Sequence, residues 1–399
     1  MVRSTSPFAA MAFASIIVLV GVADSLAQST KDAATPRQTL LVHYMPWFVA
    51  KPHSQIWGWH WTMNAFNPER RTDGRQELAS HFRPSIGAYD SGDPAVIEYH
   101  LLTMKIAGID GVIVDWYGRT DFRDYALLHR HTLALFEQVE RLGMKFVVCY
   151  EDQSIPALVE AKRIAADSRV SHAAAELDWM KRNWWNRDAY LRFEEKPILL
   201  SFGQNGLSDR EWSECLKSVA SPVAYFSLHH RRSMATGAFD WPLPSEGMKA
   251  ISRFENAAEA WPASIPVAFP RFVDIYAEAK VHASYGRVED DRGETFQRTF
   301  LRAVKSRSPL VQIATWNDWG EGTIIEPSVE FGYRDLEVIQ AWRQRQEPST
   351  KASRFDLQLP RRLYERRKND RGTATQSICD KAAQLLRESR YDEARKVLE

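Results

Sequence analysis

The sequence predicts an α/β protein: a (β/α)8 TIM barrel with a long loop after its first strand and a C-terminal helical extension. Three observations carry this. Short apolar runs of β type recur eight times, most of them separated by helical patterns. Most of these runs are continuously apolar rather than alternating, as strands covered on both faces are. Polar and aromatic residues stand at the C-terminal tips of most runs, and a barrel gathers such tips around one mouth. An open doubly wound sheet gives no reason for that placement.

The elements follow in order. LLVHYMPWF (40–48) is the first strand. A long loop, 50–98, carries WGWHW (57–61) and the turn-rich IGAYDSGDP (86–94). Its tryptophans suit an ordered lid or cleft wall. The helical segment AVIEYHLLTMKIAG stops at Gly108, and the second strand is GVIVDWYG (111–118). A helix over 124–142 leads to KFVVCYED (145–152). Further strands are PILLSFG (197–203), VAYFSLHH (223–230), the weaker KAISRF (249–254), IPVAFPRF (265–272) and LVQIATWND (310–318). Between the last two, a helix over 292–306 places Phe296, Phe300, Leu301 and Val304 on one face. The barrel therefore spans 38–334. Residues 335–399, rich in Arg, Glu and Gln, form the extension. Its end has Ala382, Leu385, Leu386, Ala394 and Leu398 at helical spacing, like a single tetratricopeptide hairpin, which must pack on the barrel or fray.

At the N-terminus, Arg3 precedes the apolar run FAAMAFASIIVLVGVA and then Ser25-Leu26-Ala27. This reads as a signal peptide over 1–27, cleaved after Ala27 and followed by a polar leader, 28–37. The run is too short for a bilayer span, and the mature chain is expected to be secreted or periplasmic. Lys plus Arg total 52 against 51 Asp plus Glu, a balance that gives no footprint for nucleic acid. The three cysteines, Cys149, Cys215 and Cys379, have no metal-site spacing. No metal or organic cofactor is implied. Fourteen Trp exceed the needs of a core and suit a cleft that stacks on sugar faces.

The chemistry concentrates in TWNDWGEGTIIEPS (315–328), where Asp318 and Glu321 stand three apart. On a straight strand they would face opposite ways. Gly320 and Gly322 let the chain turn so that both face one cavity. Two carboxyls across a sugar ring are the equipment for breaking a glycosidic bond, one protonated and one ionised. Alternatively, Asp318 caps the turn and Glu321 pairs with an Arg at the rim. Glu326 is either a ligand contact or a structural hydrogen-bond acceptor. Tyr44 and Trp47 either stack on a sugar or pack in the core. Asp115 and Trp116 stand at the second tip, Glu151 at the third, and Trp316 and Asn317 flank the acid pair. Arg271 either holds an acidic sugar or neutralises Asp318.

HYMPWF, IGAYDSGDPAVIEYHLLTMKIAGIDGVIVDWYG, the CYED tip and WNDWGEGTIIEP, in this order across about 39–330, resemble the glycoside hydrolase family 99-like (71/99-like) group. This group includes the endo-α-mannosidases. The resemblance implies a (β/α)8 barrel and retaining hydrolysis of an α-linked glycan, an oligosaccharide or polysaccharide. It implies that the position of Asp318 acts as base on the sugar's own 2-hydroxyl, giving an anhydro-sugar intermediate. It makes Glu321 the general acid and puts Glu151 in the substrate cleft. The endo-mannosidases carry Glu where Asp318 stands and His where Gly320 stands. The shorter Asp and the helical tail leave a second expectation open, a non-catalytic carbohydrate-binding or polysaccharide-assembly protein.

Overall fold

The computed structural model describes residues 37–399 apart from 204. The expected signal peptide, and the polar leader up to residue 36, lie outside the described residues. The barrel strands are β1 (Thr39–Tyr44), β2 (Gly111–Trp116), β3 (Lys145–Tyr150), β4 (Lys196–Ser201), β5 (Ala224–Leu228), β6 (Gly237–Phe239), β7 in two pieces (Ala263–Ile265 and Val267–Ala268) and β8 (Leu310–Ile313). All neighbouring pairs are parallel. The first piece of β7 pairs with β6 and the second with β8, on either side of Pro266. The ring thus closes at a strand whose two halves each serve one neighbour, and the Pro266 carbonyl still accepts the Gln312 N–H at 3.1 Å.

One expectation is corrected here. KAISRF is not a strand; it lies in the helix Met248–Ala258, and the sixth strand is the three-residue β6 upstream. Ala250, Ile251 and Phe254 are the buried residues of that helix, a helical rather than a two-residue spacing. The other seven runs contain strands, although most strands end two or more residues before the run does.

Around the barrel stand α1 (Trp59–Thr62) in the long loop, α2 (Pro94–Ala107), α3 (Tyr125–Arg141), α4 (Ser154–Glu160), α5 (Arg169–Asn183), α6 (Asp209–Ser218), α7 (Met248–Ala258) and α8 (Glu294–Lys305). α2 starts with Pro94 behind an Asp93 cap, whose carboxylate accepts the Ala95 N–H, and stops at Gly108 with φ 89°. α9 (Arg334–Gln346) follows β8 and packs against α2 and α8, which closes the eighth β/α unit. α10 (Leu359–Asn369) lies along α2, and α11 (Thr373–Arg387) and α12 (Tyr391–Leu398) form a hairpin on α10. Cys379, Ala382, Leu385, Leu386 and Ala394 join the main core, so the hairpin packs rather than frays. Ion pairs Arg367–Glu98 (2.7 Å) and Lys368–Asp93 (2.6 Å) tie α10 to α2.

Strand residues alternate between two apolar layers. Val42, Tyr44, Val112, Val114, Trp116, Val148 and Tyr150 pack in the layer shared with the helices. Leu41, Ile113, Val147, Cys149 and Leu200 fill the barrel interior. This parity decides which tip residues reach the mouth. All three cysteines are buried free thiols.

Candidate active site

After β8 the chain folds into a tight turn. The Asp318 N–H donates to Thr315 Oγ1 (2.8 Å), the Glu321 N–H donates to Asp318 Oδ1 (3.0 Å), and the Gly322 N–H donates to the Asp318 carbonyl (2.9 Å). Gly322 has φ 69°, and a Cβ there would meet the Val273 carbonyl at 2.8 Å, so glycine is required. At Gly320 a Cβ would lie 3.0 Å from Met63 Cε and 3.5 Å from Asp318 Oδ1, which places that bare backbone in the site.

Asp318 is 4 % exposed and lines a cavity of about 160 Å³ with Trp47, Trp59, His60, Tyr117 and Tyr276. A larger cavity, about 750 Å³, shares Trp47, Trp59, His60 and Tyr117 with it and adds Trp57, Arg123 and Asp124. Trp47 stacks on His60 at 4.3 Å with the rings 7° from parallel. His60 in turn faces Asp124 at 3.4 Å. The two cavities are therefore walled by the same flat rings, supplied by the residues just after β1, the long loop and the residues after β2.

Four carboxyl groups meet around this mouth. Burial raises Asp318 to about 7, opposed by the backbone N–H groups of Glu321 and Gly320. Burial, and then the charge of Asp318, raises Asp115 to about 7. Glu321 is held well above the usual carboxylate range by burial and by the charges of Asp318, Asp274 and Asp115. Glu151 is likewise held well up by burial, Asp115 and Asp152, although Gln153 donates to it from both its backbone and its side chain. Asp115 Oδ1 and Glu321 Oε2 are shielded without a hydrogen-bond partner, and Glu321 as a whole keeps some exposure. Among the described residues none of the four is ion-paired. A cluster of acids without cations is costly unless protons are shared among them.

The site residues expected from sequence divide by parity. Asp318 and Trp47 line one cavity, and Glu321, Asp115 and Glu151 form with Asp318 a chain of carboxyls that feel one another's charge. Five others are placed with protein partners instead. Tyr44 and Trp116 point into the outer layer because they alternate with His43 and Asp115. Trp316 is fully buried in that same layer. Asn317 clamps β1: its Oδ1 accepts the Met45 N–H (2.8 Å) and its Nδ2 donates to the Met45 carbonyl (3.0 Å). Glu326 is 1 % exposed and accepts from Tyr89 OH (2.7 Å), His100 Nε2 (3.1 Å) and Trp319 Nε1 (3.2 Å). The Tyr44 hydroxyl donates to His100 Nδ1 (2.9 Å), which orients that imidazole. These residues brace the loop that carries the acid pair.

Arg271 differs from both alternatives read from sequence. It is fully buried and donates to Asp290 (3.0 Å), Asp335 (2.6 Å) and the Ile324 carbonyl (2.7 Å), not to Asp318. Sequence reasoning did not single out His60, Tyr117 or Tyr276. Tyr117 shares the parity of Asp115, but its stretch does not say which parity faces inward; Tyr276 carries no signal in its own stretch.

A sequence model of glycosyl hydrolase family 99 matches residues 40–222. The chain is 34% identical over 320 residues to the human glycoprotein endo-alpha-1,2-mannosidase-like protein, covering 72% of this chain and 65% of that one. It is 19% identical over 348 residues to the rat glycoprotein endo-alpha-1,2-mannosidase, covering 73% and 70%. It spans about two thirds of the length of these relatives. Its fold is similar to that of the family 99 endo-alpha-mannosidase from Bacteroides thetaiotaomicron, with a TM-score of 0.58 at 16% identity over 79% of this chain and 98% of that one. The family match and the curated relatives agree, and the solved structure shares the fold: the chain belongs to the glycoside hydrolase family 99-like group, related to the endo-α-mannosidases.

Proposed function

We propose that the protein is an exported, retaining, endo-acting glycoside hydrolase that cleaves an α-linked glycan, an α-mannoside-containing one being favoured by the names of its relatives. The observation that carries this is the unequal environment of two carboxyls on one turn. Asp318 receives backbone N–H groups that favour its ionised form. Glu321 has an unpartnered oxygen and three neighbouring carboxylates that oppose ionisation. Two titratable groups pushed apart in this way divide base from acid.

In this reading Asp318 takes the proton of the sugar's 2-hydroxyl. That oxygen attacks the anomeric carbon as the glycosidic C–O bond breaks, and Glu321 gives its proton to the departing oxygen. Water then opens the anhydro ring, losing a proton to Glu321 while Asp318 returns one to the 2-oxygen. Asp115 and Glu151 hold sugar hydroxyls, and Trp47 and Trp59 offer ring faces. Export is supported by the sequence of residues 1–27 alone.

The test is a panel of α-linked glycans incubated with the mature protein, the released sugars being read by mass. Wild type should cleave at least one, and Asp318→Asn and Glu321→Gln should each lose about 10²–10⁴-fold in kcat. Full activity in both variants would sink the assignment. One observation favours a non-catalytic carbohydrate-binding or assembly role: Asp318 also caps its own turn. Glycan binding without cleavage by wild type would select that reading.

A further inference from the structure

Residues 272–288 form an arm beside the acid pair. Phe272–Val273 pairs antiparallel with Arg287–Val288, and Tyr276, in the chain between them, lines the Asp318 cavity. The arm is bonded to the catalytic turn: the Val273 N–H donates to the Glu321 carbonyl (2.8 Å) and the Ile275 N–H to the Gly320 carbonyl (3.0 Å). Asp274 Oδ2 then accepts both the Ser284 hydroxyl and the Tyr285 N–H at 2.9 Å, which fixes the far limb of the arm to the near one.

Three rings are held together by this bracing. Tyr276 lies 4.5 Å from His282 and 5.7 Å from Tyr285, and His282 lies 4.7 Å from Tyr285, between ring centres. Tyr276 is the inner member. It lines the Asp318 cavity, and its hydroxyl lies 3.9 Å from where a Gly320 Cβ would stand. Tyr285 is the outer member, 54% exposed. After burial, the charge of Glu321 is the next cause that lifts both phenols above their ordinary value, which agrees with their lying on its side of the turn. Tyr285 thus offers an open ring face that is held in place against the inner rings, an amphipathic surface of the kind that stacks on a sugar.

From this geometry we infer that the Tyr276–His282–Tyr285 cluster is a stacking subsite for the pyranose ring on the leaving-group side of the scissile bond. The inference rests on the hydrolase reading. There, Asp318 faces the 2-hydroxyl of the sugar under attack and Glu321 faces the departing oxygen. The arm is hydrogen-bonded to the backbone of Glu321 and Gly320, so its rings are carried on the acid's side of the turn, the side of the departing sugar. The cavity walled by Trp47, Trp57 and Trp59 then serves the retained side. The glycan crosses the mouth in one direction, from the long loop to the arm.

The experiment compares two substrates that share the retained sugars: an α-(1→2)-linked mannan oligosaccharide and α-mannobiosyl fluoride. Fluoride offers no ring to the arm and needs no acid to depart. Tyr285→Ala should lower the ratio of kcat/KM for the oligosaccharide over that for the fluoride about tenfold. Tyr285→Phe, which keeps the face, should hold the wild-type ratio. An unchanged ratio in Tyr285→Ala, with wild type active, overturns this inference alone. Wild type inert on both probes and on the glycan panel overturns the hydrolase reading and this inference with it.

Discussion

Two groups of buried acids in this molecule are treated in opposite ways. Asp290 and Asp335 share two guanidiniums: Arg271 reaches both, and Arg334 reaches both from 2.6 to 3.0 Å. Asp290 is accordingly held below the ordinary carboxylate value, and Arg271 lies on the face of Phe331 at 3.7 Å. Asp115, Glu151, Asp318 and Glu321, at the mouth, have no cation among the described residues and are all pushed upward. The fold thus neutralises charge where it serves as mortar. It leaves charge uncompensated at the mouth, where the proposed reaction would move protons. Both groups touch the same loop, since Arg271 also holds the Ile324 carbonyl.

The comparison can be broken most forcefully at the neutralised group. Arg271→Met should cost about 3–5 kcal/mol in denaturant unfolding, because Asp335 stays buried with a weakened set of partners. A loss near zero would mean that Arg334 alone balances both acids. At the mouth the sign reverses. Asp115 has a folded value of about 7 against 3.8 for its free form, so it costs nothing when protonated in both states. Its penalty accumulates as pH rises from about 4 to about 7 and is complete above that. Asp115→Asn should therefore raise stability by about 2 kcal/mol at about pH 8 and leave it equal at about pH 3. Unfolding curves at the two pH values check this, and a pH-independent effect would contradict it. The mildest case is the brace between the groups. Glu326→Gln keeps the shape but weakens three hydrogen bonds. It should lower kcat about tenfold with KM little changed, since the residue orients the acid pair without touching sugar. A change in KM alone would place Glu326 in the binding site after all.

Much of this architecture is legible in the residues themselves. Seven of the eight strand runs were readable because buried parallel strands are apolar throughout. That same feature hides parity. With both faces apolar, nothing in HYMPWF or VIVDWYG says whether the first or second polar residue of the tip turns inward, so Tyr44 and Trp116 could not be separated from His43 and Asp115. The sixth strand was missed for a different reason. GAF is too short to form a pattern, and the neighbouring KAISRF has enough apolar residues to imitate one. Arg271 was misread because its partners Asp290 and Asp335 are distant in sequence, whereas Asp318 is conspicuous. The acid pair itself stood out because a strand end rarely gathers two acids and two glycines without a turn.

The turn that carries the pair has one further consequence. Asp318 holds the Glu321 amide through Oδ1, so the two acidic residues are joined by a single hydrogen bond as well as by chain. In the proposed reaction Asp318 takes up a proton as Glu321 releases its own, and protonation weakens Oδ1 as an acceptor for that amide. Proton uptake at one residue would then loosen the backbone of the other.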